Sequence, residues 1–66
     1  MTLRDFFNGQ PRGAASKLAV RVGVTPTWMA LITNGLRKPS LRLAVEIEKA
    51  TDGAVTRQEL RPDVFA

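Results

Sequence analysis

The chain contains neither cysteine nor histidine. Their absence excludes disulfides, zinc-finger ligand sets, thiol nucleophiles and every Ser/His or Cys/His catalytic pair. It also leaves 66 residues without a covalent or metal staple. A chain that short has room for one small core, so a compact helical core or a partner must stabilise it. Long apolar runs are missing too. The longest, residues 28–32, falls far below the ~20 residues that cross a bilayer. The amino end carries Arg4, Asp5 and Asn8 in its first turns and does not resemble a signal peptide, so a cytoplasmic location is expected. Internal repeats, low-complexity stretches and a glycine-rich phosphate loop are all absent.

Acidic charge is scarce where basic charge is concentrated. The chain has 10 Lys and Arg against 6 Asp and Glu, a formal charge of +4. Residues 1–38 hold Arg4, Arg12, Lys17, Arg21, Arg37 and Lys38 against Asp5 alone. Residues 39–66 hold Arg42, Lys49, Arg57 and Arg61 against Glu46, Glu48, Asp52, Glu59 and Asp63. An excess localised in this way points to nucleic acid, and less to an anionic membrane surface. A solvated basic face is the plain alternative. Hydrophobic residues at 44% and charged residues at 24% are those of a folded domain.

Every segment of sufficient length reads as helix. Thr2 and Asp5 fit a helix start, with Leu3, Phe6 and Phe7 as its apolar stripe, and Asn8-Gly9 with Pro11 end it. A second helix runs from about Arg12, with Ala15, Leu18, Ala19 and Val22 on one face, to a stop at Gly23. Thr25 as N-cap and Pro26 at the first helical position open a third helix, 26 to about 33, closed by Asn34-Gly35. Leu36-Arg37-Lys38-Pro39 is a basic loop. Ser40 caps a fourth helix, about 41 to 51, with Leu43, Ala44, Ile47 and Ala50 inward, and Asp52-Gly53 ends it. Val55 reads as an isolated extended residue. Thr56 and Glu59 form a capping-box pattern for a short last helix, which Arg61-Pro62 terminates. Residues 63–66 follow as a tail. The expected architecture is all-α, a compact bundle of about five short helices in a single domain, 1–66.

Two of these helices are joined by almost nothing. Ala19, small, stands four residues before Gly23, and Leu18, Val22, Val24, Met29 and Ile32 hold inward apolar positions around it. A tight turn between crossed helices needs positive φ at the glycine, a small residue at the contact and apolar residues on both sides. This is the spacing of a helix–turn–helix, about residues 13–34. A plain helical hairpin is the structural alternative.

The stretch KLAVRVGVTPTWMALITNG, with the basic loop and proline after it, and the distal IEKATDGAVTRQELRPDVF together resemble the prophage Cro-like regulators of the YdaS antitoxin group. The likeness runs from about Gly13 onward, and the distal half is its more family-specific part. It implies a λ-repressor-like fold and an operator-binding protein encoded on a mobile element.

In a helix–turn–helix the third helix here would enter the major groove with its first residues near base edges. The outward positions are Thr25, Pro26, Thr27, Ala30, Leu31 and Asn34; the first five are the expected base contacts. Thr27 can donate or accept, whereas Ala30 and Leu31 can only pack on thymine methyls. So apolar a helix implies weak direct readout or reliance on DNA shape. Phosphate contacts are expected from Arg12, Gly13, Ala14 and Lys17 around the second helix start, and from Asn34, Arg37 and Lys38 after the third. Trp28 either packs against the first helix or lies along the DNA backbone with its indole N–H donating to phosphate. Leu60, Val64 and Phe65 either close the core under the fourth helix or form a homodimer contact within residues 40–66.

The expected function is thus a sequence-specific transcriptional regulator, a Cro-like repressor bound to duplex DNA. The alternative is a component of a toxin–antitoxin pair that acts by binding protein. Catalysis is not expected: Glu46 and Glu48 face different sides of their helix, and Ser16 and Ser40 have no histidine base. Nor is any cofactor, metal, membrane or small-molecule substrate.

Overall fold

A computed structural model describes residues 1–65, so Ala66 at the end of the expected tail lies outside them. Five helices follow one another: α1 (Leu3–Asn8), α2 (Ala14–Val22), α3 (Pro26–Thr33), α4 (Leu41–Ala50) and α5 (Arg57–Leu60). The architecture is all-α, and no strand occurs among the described residues. Two boundaries move from their sequence positions. α2 starts at Ala14 rather than near Arg12, because Gly13 takes φ +90° at its N-cap. α4 stops one residue early, with Thr51 at its C-cap.

Four helices begin in the same way. The hydroxyls of Thr2, Thr25, Ser40 and Thr56 accept the N–H of Asp5, Trp28, Leu43 and Glu59 respectively. Each such cap contributes about 1 kcal/mol. Thr2–Asp5 and Thr56–Glu59 are complete capping boxes. The chain reversal after α2 depends on Gly23 at φ +84°, a conformation that costs an L side chain roughly 1–2 kcal/mol. The reversed chain lets the N–H of Val24 donate to the carbonyl of Ala19 at 2.9 Å, and α3 begins two residues later. Gly35 at φ +76° repeats the device after α3, where the N–H of Leu36 donates to Leu31 at 2.9 Å.

α2 packs on both α3 and α4, and α4 packs on α5. Ala19 at the α2–α3 contact is fully buried, as its small side chain permits close approach. Met29, Ile47 and Val55 are the largest fully buried side chains, and Leu3, Leu18, Ile32 and Leu43 complete the core. Val55, read from sequence as an isolated extended residue, is a central core residue. The polar Thr51 buried beside it is satisfied: its hydroxyl donates to Ile47 at 2.9 Å and accepts the N–H of Val55 at 3.2 Å. That pair ties the loop after α4 to the helix it leaves.

The carboxyl-terminal segment divides between the two sequence readings. Leu60 packs against the core, Phe65 is half-buried with the Arg57 guanidinium 5.7 Å from its ring centroid, and Val64 is exposed. Core closure under α4 therefore holds for Leu60 and not for Val64. Arg57 also pairs with Glu48 at 2.7 Å, linking α5 to α4.

Met29→Ala should cost about 3 kcal/mol, the range for emptying a fully buried site of this size, read as a fall in the chemical-denaturation midpoint. A loss below about 1 kcal/mol would show that Met29 does not sit in a close-packed core.

Candidate nucleic-acid interface

α3 separates into two faces. Met29 and Ile32 point into the core, while Thr25, Pro26, Thr27, Trp28, Ala30 and Asn34 are exposed and Leu31 is half-buried. Within α2 the inward set is Leu18 and Ala19, with Val22 half-buried against the core; Val24 in the turn packs there too. The helix–turn–helix thus presents one continuous surface from Thr25 to Asn34.

The two threonines at the start of α3 differ in what they offer. The Thr25 oxygen already accepts the N–H of Trp28 at 3.1 Å, which leaves its hydroxyl mainly a donor. Thr27, one residue into the helix, carries no cap. Trp28 does not enter the core. It is 38% exposed and lines a cleft of about 630 Å³ with Val20, Val24, Arg42 and Glu46, between the end of α2 and the start of α4. The core reading of this residue fails because the third helical position of α3 turns away from the Met29–Ile32 stripe.

Cations precede and follow this surface along the chain. Arg12 and Lys17 are exposed around the α2 start, and Arg37 and Lys38 are exposed after α3. No side chain caps α2, since Gly13 stands at its N-cap. The N–H of Ala14 donates to the Pro11 carbonyl at 3.2 Å. Of the first-turn amides, which lack intrahelical acceptors, that one is therefore already used within the chain. Arg12, Lys17, Arg21, Arg37 and Lys38 take part in none of the three ion pairs found among the described residues. Those pairs use Glu48, Glu59 and Asp63, so three of the carboxyl-terminal acids are committed to internal contacts with Arg57, the Met1 amino group and Arg61.

Two contacts near the surface escape any local sequence rule. Arg4 of α1 donates from Nη2 to Asn34 Oδ1 at 2.6 Å, thirty residues away. With its oxygen engaged, the Asn34 amide has its N–H₂ group to offer outward. Arg61 donates from Nη1 to the Pro39 carbonyl at 2.9 Å and holds both Asp63 oxygens, from Nε at 3.0 Å and Nη2 at 2.9 Å. The guanidinium holds the Asp63 carboxyl down to about 2 from its ordinary 3.8, and Lys38 adds to the effect through space. Asp63 in turn raises the Arg61 guanidinium further. Neither Arg4, Arg61 nor Asp63 belongs to the sequence-derived site.

Among the described residues no helix is long and apolar enough to cross a membrane, and no group of three or more acidic, His or Cys residues is placed to hold a metal ion. Short helices joined at Gly23, with an exposed α3 face, make a helix–turn–helix module. The chain belongs to the family described as bacterial toxin YdaS, which it matches over residues 9–66. It is similar to a prophage transcriptional regulatory protein of Escherichia coli (strain K12), with 35% identity over 63 residues covering 96% of each chain. The family description reads toxin where the sequence resemblance was to an antitoxin group.

A carboxyl whose pKa is depressed by its folded partner keeps that contact above its ordinary pKa and loses it as pH falls through the folded value. The Asp63 carboxyl carbon, followed by NMR, should therefore titrate with a midpoint near 2 and not near 3.8. A midpoint at 3.8 would mean that the Arg61–Asp63 pair is open in solution.

Proposed function

We propose that the chain is a DNA-binding transcriptional regulator, a Cro-like repressor that sets α3 in the major groove of an operator. The observation that carries this reading is the exposed α3 face, with the exposed Arg12, Lys17, Arg37 and Lys38 before and after it in the chain entering none of the ion pairs among the described residues. The similarity to the E. coli prophage transcriptional regulatory protein supports it. Thr25, Pro26, Thr27, Ala30 and Leu31 meet base edges, with Thr27 the chief hydrogen-bonding reader. Arg12, Lys17, Arg37 and Lys38, with Gly13 at the α2 start, Trp28 and the Asn34 amide, hold phosphates, whereas the Ala14 N–H expected to join them is already bonded to Pro11. Three of the five base-facing residues have no side-chain hydrogen-bond donor, so much of the discrimination comes from methyl packing and DNA shape. The protein works in the cytoplasm without catalysis or cofactor.

The reading includes a second copy of the chain. The molecule measures 32 × 20 × 19 Å, whereas half-sites of a twofold operator lie about 34 Å apart. A homodimer would supply a recognition helix for each half-site, with the exposed Val64 of the carboxyl-terminal segment available for the contact between copies.

The apolar character of the α3 face, together with the word toxin in the family description, favours a second reading in which this surface binds a protein. Salt separates the two. Duplex affinity should fall linearly on a log–log plot with a slope of roughly −4, from four cations each displacing about 0.9 counterion. No detectable duplex binding at low salt rules out the repressor reading.

Roles within the interface separate by mutation. Arg37→Ala with Lys38→Ala should weaken binding to all duplexes alike, while Thr27→Ala should change the ranking of sites by about 1 kcal/mol at one base position. The opposite pattern, measured by competition between operator variants, overturns the division of labour.

A further inference from the structure

The distal Arg61-Pro62-Asp63 lies beyond the last helix, far in sequence from the surface assigned to DNA. Its side chains nevertheless reach back 22 residues to the basic loop. Asn34, Gly35, Leu36, Arg37 and Lys38 are all exposed. Beneath them lies a cavity of about 210 Å³, lined in part by Gly35, Arg37, Lys38, Glu59 and Leu60. The centre of the loop therefore has little apolar packing to hold it. Its fixed points are the closure at Leu36 on the α3 side and the buried Pro39 on the α4 side.

We infer that Arg61 and Asp63 are positioning residues for the phosphate-binding loop: Arg61 clamps the carbonyl of Pro39, and Asp63 orients Arg61. The geometry is specific. A guanidinium has donors in a planar fork. Here two of them are fixed in parallel by the Asp63 carboxylate at 3.0 and 2.9 Å, which aims the remaining Nη1 donor at Pro39. The Arg61 side chain is 19% exposed, against 43% for Asp63, so the clamp lies between the tail and the loop. A lysine there has no fork to be aimed. The distal segment thereby fixes where Arg37 and Lys38 can place their charges. This role rests on the reading of the loop as a DNA contact.

The experiment is a charge-balanced variant, Arg61→Gln with Asp63→Asn, which removes the clamp and leaves the net charge unchanged. Its duplex affinity at low salt should drop about fivefold, within the usual range for coupled positions. Introduced into an Arg37→Ala, Lys38→Ala background, the same pair should change affinity less than about twofold. An equal drop in both backgrounds overturns the proposal, since it would mean a general structural effect. An unchanged affinity in the parent background overturns it as well. Failure of the parent protein to bind DNA at all would instead remove the repressor reading. A test independent of DNA, and of the double variant's folding, uses Arg61→Lys. The backbone order parameters of Arg37 and Lys38 should fall below about 0.6 while α2, α3 and α4 stay near 0.85. An unaltered loop in that variant overturns the proposal.

Discussion

The structure depends on the chain turning left-handed at Gly23. With φ at +84°, the backbone leaves α2 and enters α3 within two residues, too few for any wider loop. The fully buried Ala19 is the second half of the same constraint, because a larger residue there would separate the helices that the turn brings together. From these two positions follow the burial of Met29 and Ile32, the outward sense of Thr27 and Ala30, and the direction in which the chain reaches the basic loop. α4 then packs on α2 and fills the space that the crossing leaves.

Much of this is legible in the sequence, because it is local. Thr25-Pro26 and Asn34-Gly35 mark the ends of α3 through capping and turn chemistry that act over a few residues. The five helices and the Thr56–Glu59 box follow from the same kind of signal. Boundaries slip where the signal is ambiguous: Gly13 after Pro11-Arg12 offers two starting points for α2. Val55 is not legible as core because a single apolar residue between turns has no periodicity, although it is one of the three largest fully buried side chains. For the candidate site, the outward and inward faces of α3 follow from helical spacing. Trp28 is ambiguous by spacing, since an aromatic beside a core stripe reads equally as core or surface. The polar links are invisible for a plainer reason. Arg4 to Asn34 and Arg61 to Pro39 join positions 30 and 22 residues apart, and no local rule pairs them.

Electrostatics complete the division. Carboxylates in the distal half neutralise Arg57, Arg61 and the Met1 amino group, and the pKa values of Glu48, Glu59 and Asp63 are all lowered by those partners. Arg12, Lys17, Arg21, Arg37 and Lys38 enter none of the ion pairs among the described residues. With no histidine in the chain, no side chain has an unperturbed pKa between about 5 and 8.

Trp28 gives the molecule one more property. It is the sole tryptophan, the chain has no tyrosine, and it stands partly exposed on the face assigned to recognition. Nearly all near-ultraviolet emission therefore originates from a single point beside the cleft between α2, α3 and α4. The protein carries its own optical probe: whatever settles on that face changes the solvation of the one indole, with no label attached.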